Sequence, residues 1–230
     1  MPITPDIPAA EAAIVELTNE YRKDHELSSL TLNPQLAAAA RAYARMLADR
    51  TDLSHTIDGT TPATRAIKVG YTYCQIAENL AKAYDSRGFT AREYASRALK
   101  GWRASRGHRK NLLLPYLTEI GVAVARTSAK NPTYIAVQMF GRPMALKYEF
   151  KVSNTAARTI PYDFAGKHYD LEPRQIITHK SCLPGTIGFA TDPKRKVSAR
   201  YEARNGDVYT LKPAKGGGVK VEVGGRPGDH

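Results

Sequence analysis

The chain has 230 residues, of which 42% are hydrophobic and 24% charged, a composition typical of a globular protein with one large or two modest domains. Its formal net charge of +12 favours acidic partners such as anionic glycans, phospholipid surfaces or nucleic acid. No recognised nucleic-acid-binding motif accompanies the charge, so nucleic acid is not the expected partner. No segment reaches the run of about 18 apolar residues that a transmembrane helix needs.

The start of the chain and its cysteines bear on the cellular compartment. Residues 1–6 lack the basic and apolar regions of a signal peptide, so we expect either a cytosolic protein or one whose signal was removed before Met1. Cys74 and Cys182 are too far apart in sequence for a CxxC redox motif or a zinc ribbon. They could pair in an oxidising compartment, but the preferred interpretation is two unrelated buried thiols.

Helical patterns dominate the first half of the chain. Apolar residues recur at helical spacing within roughly residues 9–25, and Asn33 followed by Pro34 predicts an N-cap and a second helix that continues to about residue 50. Thr61 followed by Pro62 predicts a short third helix that ends near residue 70. A capping box at residues 90–93 predicts a fourth helix from about 91 to 104.

The stretch from Trp102 to Leu113 predicts an abrupt end to this fourth helix. Gly107 is a typical helix-ending residue, and we expect the neighbouring His108 to be presented at the break. Six basic residues surround this point, with no acidic residue between positions 93 and 119: Arg97, Lys100, Arg103, Arg106, Arg109 and Lys110. They fit a solvated helix face and an anion-attracting rim equally well.

Strand patterns follow. The apolar runs at 120–124 and 134–140 predict two adjacent buried strands, antiparallel to each other. From Met144 onward the helical signals disappear. Alternating apolar and polar residues at 147–152 and 197–203 predict strands with one solvent-exposed face. Asn205-Gly206 is the strongest hairpin signal in the chain. We therefore expect a small all-β domain over 144–230 with a frayed, glycine-rich end.

Seven segments in one order resemble the CAP superfamily, which joins the cysteine-rich secretory, antigen 5 and pathogenesis-related proteins and is also called the SCP domain. The match resembles the bacterial branch and covers about residues 11–143, after an N-terminal extension of residues 1–10. The segments are Leu32–Leu36 with Tyr43-Ala44, Leu53-Ser54-His55, Gly70-Tyr71, Ala77–Leu80, Trp102–Leu113, Gly121–Val124 and Val137–Pro143.

The resemblance implies an α+β protein, with an α-β-α sandwich followed by the β domain. In that family two His and two Glu lie at the floor of an open cleft and in some members bind zinc or another divalent cation. By motif position these are His55, Glu78 and His108, whereas the second Glu is replaced by Ser105. Glu93 is the nearest other acid, but its place in a capping box argues against a role in the site.

The chemistry of this trio leaves two alternatives open. Two imidazoles and one carboxylate can hold Zn²⁺ and leave a position for an activated water, which would make a hydrolase of peptide or cell-wall bonds. The same groups can instead form a metal-free network in which Glu78 holds one His in a fixed tautomer and the cleft binds a ligand. The further cleft candidates are Asn79, Ser105, Arg106, Arg109 and Asn111.

Structural or surface roles are expected for the other conspicuous residues. Ser105 fits a helix-end cap better than a nucleophile, because no GxSxG motif or orienting acid accompanies it. Asn79 and Asn111 are expected to tie loop backbone together, and Trp102 to lie in the core. Three other histidines are expected at solvated, surface or turn positions: His25, His168 and His179.

The favoured hypothesis is a secreted or periplasmic binding module whose signal peptide has been removed, since CAP proteins are typically exported. Its expected partner is an anionic or amphipathic component of the cell envelope, whether glycan, lipid or peptide. The metal-dependent hydrolase is the alternative, and a third hypothesis assigns the work to the β domain as a docking module. The oligomeric state is left open.

Overall fold

A computed structural model describes residues 2–50, 52–192 and 199–225. The chain divides into two compact units, Met1–Ala145 and Leu146–His230. The first mixes helices with a sheet, and the described part of the second contains no α-helix. The predicted α+β class, with a small all-β domain after a mixed one, is confirmed.

The first unit contains five helices and one four-stranded sheet among its described residues. The sheet has the order β1-β3-β4-β2, with β1 parallel to β3 and the other neighbours antiparallel. The elements are α1 (Ile7–Lys23), β1 (Thr31–Leu32), α2 (Pro34–Ala48), α3 (Pro62–Lys68), β2 (Tyr73–Ala83), α4 (Ala91–Ala104), α5 (Arg106–Leu112), β3 (Glu119–Arg126) and β4 (Tyr134–Pro143). The boundary expected at residue 10 falls inside α1, where Ala10 is buried.

Local capping signals place the helix starts as predicted. The side chain of Asn33 accepts hydrogen bonds from the N–H groups of residues 35 and 36 at the start of α2. Thr61 begins α3 with a capping box, and the Thr90/Glu93 capping box begins α4. Glu93 is therefore committed to its helix start, as expected.

The alternation of β3 divides its side chains between two cores, which makes the sandwich. Ile120, Val122 and Val124 pack with α1 and α4 on one face, while Ala123 and Ala125 pack with α2 on the other. Gly121 lets α2 approach closely, because a Cβ there would lie 2.2 Å from the backbone nitrogen of residue 37. This sheet holds the candidate site between the two helical layers.

Two expectations for this unit were wrong. His108 does not lie in a helix break: the chain leaves helical geometry only at Ser105 and resumes as α5, which includes Gly107 and His108. Ser105 lies at that junction, but its side chain makes no capping hydrogen bond. In addition, the segment 77–80, which carries Glu78, belongs to the eleven-residue strand β2, for which no strand had been predicted.

The described part of the second unit contains two four-stranded sheets over one aromatic core. Their orders are β10-β9-β6-β7 and β12-β11-β5-β8. The strands are β5 (Tyr148–Asn154), β6 (Ile160–Phe164), β7 (Lys167–Leu171), β8 (Ile176–Ser181), β9 (Thr186–Phe189), β10 (Ala199–Glu202), β11 (Val208–Pro213) and β12 (Val219–Gly224). Strand β5 shows the predicted alternation of buried and more exposed residues.

The hairpin expected at Asn205-Gly206 is wrong. Strand β10 pairs with β9, whereas β11 pairs with β5 and β12, so this turn carries the chain from one sheet to the other. Gly206 adopts a φ of +82°, which explains the turn signal without strand pairing. Val197 and residues 226–230, the last few residues where fraying is expected, lie outside the described residues, and residues 219–224 form β12.

Both cysteines, Cys74 and Cys182, are disulfide-bonded, so the interpretation as unrelated thiols is wrong. Among the described residues, no helix is both long enough and apolar enough to span a membrane.

Candidate functional site

Glu78 is the buried centre of the candidate site. It lies on β2 with a side chain only 1% exposed, and each carboxylate oxygen has its own partner. Oε1 lies 2.7 Å from His55 Nδ1, and Oε2 accepts a hydrogen bond of 2.7 Å from Arg65 Nη2. Because an ionised carboxylate only accepts hydrogen bonds, His55 must donate from Nδ1, and its neutral form then carries the lone pair on Nε2. This is the fixed tautomer that the metal-free alternative predicts.

Arg65, on α3, supplies the positive charge that a buried carboxylate needs. Its side chain is 7% exposed, and its guanidinium donates to the His55 carbonyl and to Thr60 Oγ1. The guanidinium carbon also lies 3.4 Å from the ring centroid of Tyr43. No sequence motif marks Arg65. The only indication of it in the sequence is that a carboxylate in the interior requires a nearby cation.

The loop that carries His55 is held by α2 and α3 together. Tyr43 donates a hydrogen bond of 2.6 Å from its hydroxyl to the carbonyl of Ser54, and Arg65 holds the next carbonyl. The His55 side chain remains 45% exposed. The loop is therefore anchored on its inner side while the imidazole reaches solvent.

His108 faces His55 from α5. The ring centroids are 6.4 Å apart and the planes are inclined by 57°. Burial, and secondarily the neighbouring His55, lowers the pKa of His108 from its ordinary value. His108 is therefore neutral at pH 7 and presents one N–H donor and one lone pair.

A network of amides fixes α5 against β2. Asn111 donates to the carbonyl of Glu78 and to Asn79 Oδ1, both at 3.0 Å. Asn79 in turn donates to the carbonyl of His108 at 3.3 Å and to the side chain of Gln138 at 3.2 Å. The predicted tying role of Asn79 and Asn111 is confirmed, although they lie on a strand and a helix. Their effect is to set the position of His108 relative to Glu78.

Arg22 secures the far end of α5. This arginine is fully buried on α1, and its Nη1 donates to the carbonyls of Leu112 and Leu114 at 2.8 and 3.0 Å. These carbonyls belong to the helix end, where no intrahelical donor is available. The helix that carries His108 is thus held by Asn79 at the carbonyl of His108 and by Arg22 at its C-terminal end.

The remaining candidates lie at the edge of this arrangement. Arg106 and Arg109 are exposed on α5. Arg109 lines a groove beside Tyr21 and Arg103, between α1 and α4. The structure does not bring Arg109 to Glu78, and the basic residues near His108 are divided between different surfaces. Trp102 is buried as predicted and donates to the carbonyl of Leu80.

The residues do not fit a metal centre in this arrangement. No group of three His, Cys, Asp or Glu side chains within the described part of the chain is placed to hold a metal ion. Both oxygens of Glu78 are already bonded, and the guanidinium of Arg65 would repel a dication beside it. The metal set of His55, Glu78 and His108 stays a prediction that the geometry disfavours.

Two histidines of the second unit differ from each other. His168 is exposed as expected and bonds Asp163 at 2.8 Å. His179 is buried, which corrects the expected surface position, because it lies among aromatic rings and its Nε2 is 2.6 Å from the hydroxyl of Tyr162. Neither joins a ligand set within the described residues.

An α-β-α sandwich with two histidines facing each other over a buried glutamate defines an SCP-type domain. The family model for CAP, the cysteine-rich secretory protein family, matches residues 15–140, which is more than half of the sequence. The chain belongs to the CAP family.

Three bacterial proteins are similar to this chain over part of its length. The uncharacterised protein YkwD of Bacillus subtilis strain 168 is 30% identical over 124 residues, which are 54% of this chain and 45% of YkwD. The chain thus matches less than half the length of this curated relative. An outer surface protein from Borrelia burgdorferi shares the fold, with a TM-score of 0.52, 24% identity and coverage of 62% of this chain and 99% of that one. An extracellular SCP-domain protein from Bacillus anthracis gives 28% identity and a TM-score of 0.48, over 62% and 45% of the two chains.

Proposed function

We propose that this protein is an exported binding module of the cell envelope and that its ligand occupies the cleft between His55 and His108. The observation that carries the proposal is the complete internal pairing of Glu78. A carboxylate that accepts on both oxygens orients its neighbours, and Arg65 beside it already supplies the positive charge that a metal ion would bring. The groups that remain for a ligand are the two imidazole rings.

The ligand chemistry follows from those rings. Half-exposed His55, whose Nδ1 is held by Glu78, presents Nε2 to a ligand, and neutral His108 offers both a donor and an acceptor. Exposed Arg106 and Lys110 on α5 add positive charge near His108. Hydroxyl, amide or anionic groups of an envelope glycan, lipid or peptide match this set.

Export is supported by the cysteines. Disulfides persist in oxidising compartments and are rare in the cytosol, and both Cys74 and Cys182 are disulfide-bonded. Thiol titration without reductant, on protein purified from its native host, should detect no free cysteine. One free thiol per cysteine would count against export.

The binding proposal is tested by co-sedimentation with two insoluble probes, purified peptidoglycan and phosphatidylglycerol vesicles. We expect one of them to retain the wild-type protein and His108→Asn to lose about tenfold in affinity, the value of one to two hydrogen bonds in a binding site. His25→Gln, at an exposed histidine that follows the end of α1, is the matched control and should bind normally. Retention by neither probe, or equal retention of His108→Asn, would overturn the proposal.

The second candidate is a metal-dependent hydrolase of peptide or cell-wall bonds on the same three residues. The feature in its favour is the pair of imidazoles beside a carboxylate, which are ligand types that zinc accepts. An ion bound by Glu78 would lie beside the guanidinium of Arg65, and zinc titration by calorimetry distinguishes the two candidates.

A further inference from the structure

A groove with a volume of about 950 Å³ runs along α4 and shares no residue with the cluster of His55, Glu78 and His108. We call it the α4 groove. One wall is α4 itself, and the other is the end of β2 with the segment that follows it as far as Phe89. Five basic residues line it: Lys82, Arg87, Arg92, Arg97 and Lys100.

The two acidic residues of the α4 groove offset part of this charge, since Asp85 also bonds the guanidinium of Arg87 at 3.3 Å, and they leave three of the five positive charges in excess. Glu93 accepts the N–H of Thr90 at 2.7 Å, where it caps the helix. Asp85 accepts the backbone N–H of Arg87 at 3.0 Å and lies 3.8 Å from the guanidinium of Arg97. Both acids therefore position the walls, and the groove keeps an excess of positive charge.

The basic side chains come from both walls, which suits a ligand that lies between them. Lys82 and Arg87 stand on one wall, and the other three stand on α4. Arg92 and Lys100 are eight residues apart, which is about 12 Å along a helix. Gly101 leaves the floor open, since a Cβ there would meet no atom within 4 Å. A groove of this length exceeds a single small anion and fits a segment of an extended chain.

We propose that the α4 groove binds a linear polymer that carries phosphate groups. Each phosphate of a linear polymer carries two non-bridging oxygens that diverge from a tetrahedral centre, so they can be bonded from both walls, whereas the two oxygens of a carboxylate lie in one plane with its carbon. Three of the five cations are arginines, whose guanidinium groups bond phosphate through two parallel hydrogen bonds. A flat membrane surface would reach the rim but not the floor.

The experiment measures the affinity of the intact protein for inorganic polyphosphate at fixed ionic strength. Arg97→Gln/Lys100→Gln should bind about tenfold more weakly, because two charge-assisted contacts are lost. Lys23→Gln/Lys151→Gln removes the same net charge from exposed positions outside the groove and should change the affinity less than about twofold. Arg92→Gln/Lys100→Gln is the second groove variant and should repeat the loss; it leaves the contact of Arg97 with Asp85 in place and removes instead the exposed pair of Arg92 with Glu16.

Each other outcome overturns the inference. Equal weakening in the groove and control variants would mean that net charge alone drives binding. Equal affinity for polyglutamate of the same charge, or stronger affinity for phosphatidylglycerol vesicles, would contradict the assignment to a phosphate polymer. His108→Asn should bind polyphosphate like the wild type, so failure of the cleft proposal leaves this result interpretable.

Discussion

Arg65 and Glu78 form a buried ion pair, with Nη2 and Oε2 2.7 Å apart and neither side chain more than 7% exposed. The pair joins α3 to β2, and through the second oxygen of Glu78 it also holds His55. Through its two oxygens, Glu78 therefore fixes the position of the loop and the tautomer of His55, and its pairing with Arg65 sets the charge of the cleft.

Glu78→Gln should destabilise the protein by about 3–5 kcal/mol, because it leaves the charge of Arg65 buried without a counter-charge. Chemical denaturation followed by circular dichroism measures the loss. Glu16→Gln is the control: it removes the exposed partner of Arg92, with both side chains more than half exposed, and should change stability little.

The double variant Glu78→Gln/Arg65→Met sharpens this prediction. Removing both charges should cost less than the sum of the single changes, since no buried charge is left unpaired. Additive losses would show that the two side chains are not coupled, which contradicts the account of the pair.

Asn111→Ala should lower the free energy of unfolding by about 1–3 kcal/mol, because it removes the donor to the Glu78 carbonyl and to Asn79 Oδ1. It should also weaken retention by the envelope probe without touching either imidazole, since α5 is no longer held at its set distance from β2. A variant with normal stability and normal retention would mean that the amide network does not position His108.

Zinc should not bind at this site while Arg65 occupies Glu78. We expect isothermal titration calorimetry with zinc to show no saturable heat for the wild type. His108→Ala and Glu78→Gln should therefore give the same result as the wild type. A stoichiometric heat that both variants abolish would establish the metal set and favour the hydrolase.

His179 should make the second unit less stable in acid. Burial lowers the pKa of His179, which faces the phenols of Tyr162 and Tyr169. The unfolded chain has its ordinary pKa of about 6.5 and so takes up a proton before the folded chain does. The free energy of unfolding should be highest when the pH is above this pKa and should decrease as the pH drops below it.

Thermal unfolding of the wild type and of His179→Gln between pH 7.5 and 5 tests this prediction, with a smaller pH dependence expected in the variant. His168→Gln is a control of opposite sign, because hydrogen bonding to Asp163 raises the pKa of His168 and favours its charged form in the folded state. The same acid slope in wild type and His179→Gln would refute the assignment.

Sequence patterns predicted the parts of the fold whose causes are local. The starts of α2, α3 and α4 follow from side chains that cap the backbone within three residues, and the β3–β4 pair follows from two apolar runs. The trio His55, Glu78 and His108 was found through family motifs, and the structure brings the three together.

The errors arose where distant residues decide the conformation. Strand β2 carries Glu78 and Asn79 in the interior, and no strand pattern predicts two buried polar residues. Their burial is possible because Arg65 and Asn111, on other elements, bond them. Helix α5 contains Gly107 and still forms, since Arg22 bonds its last carbonyl from 90 residues away. Arg65 itself had no sequence motif, although it determines the chemistry of the cleft.

In the proposed function, the cleft binds an envelope ligand through His108 without a metal ion. Co-sedimentation with the retaining probe in the presence of a strong chelator measures it most directly. Wild-type retention should be unchanged by the chelator, and His108→Asn should be lost from the pellet. Retention that disappears with the chelator and returns with zinc would contradict it.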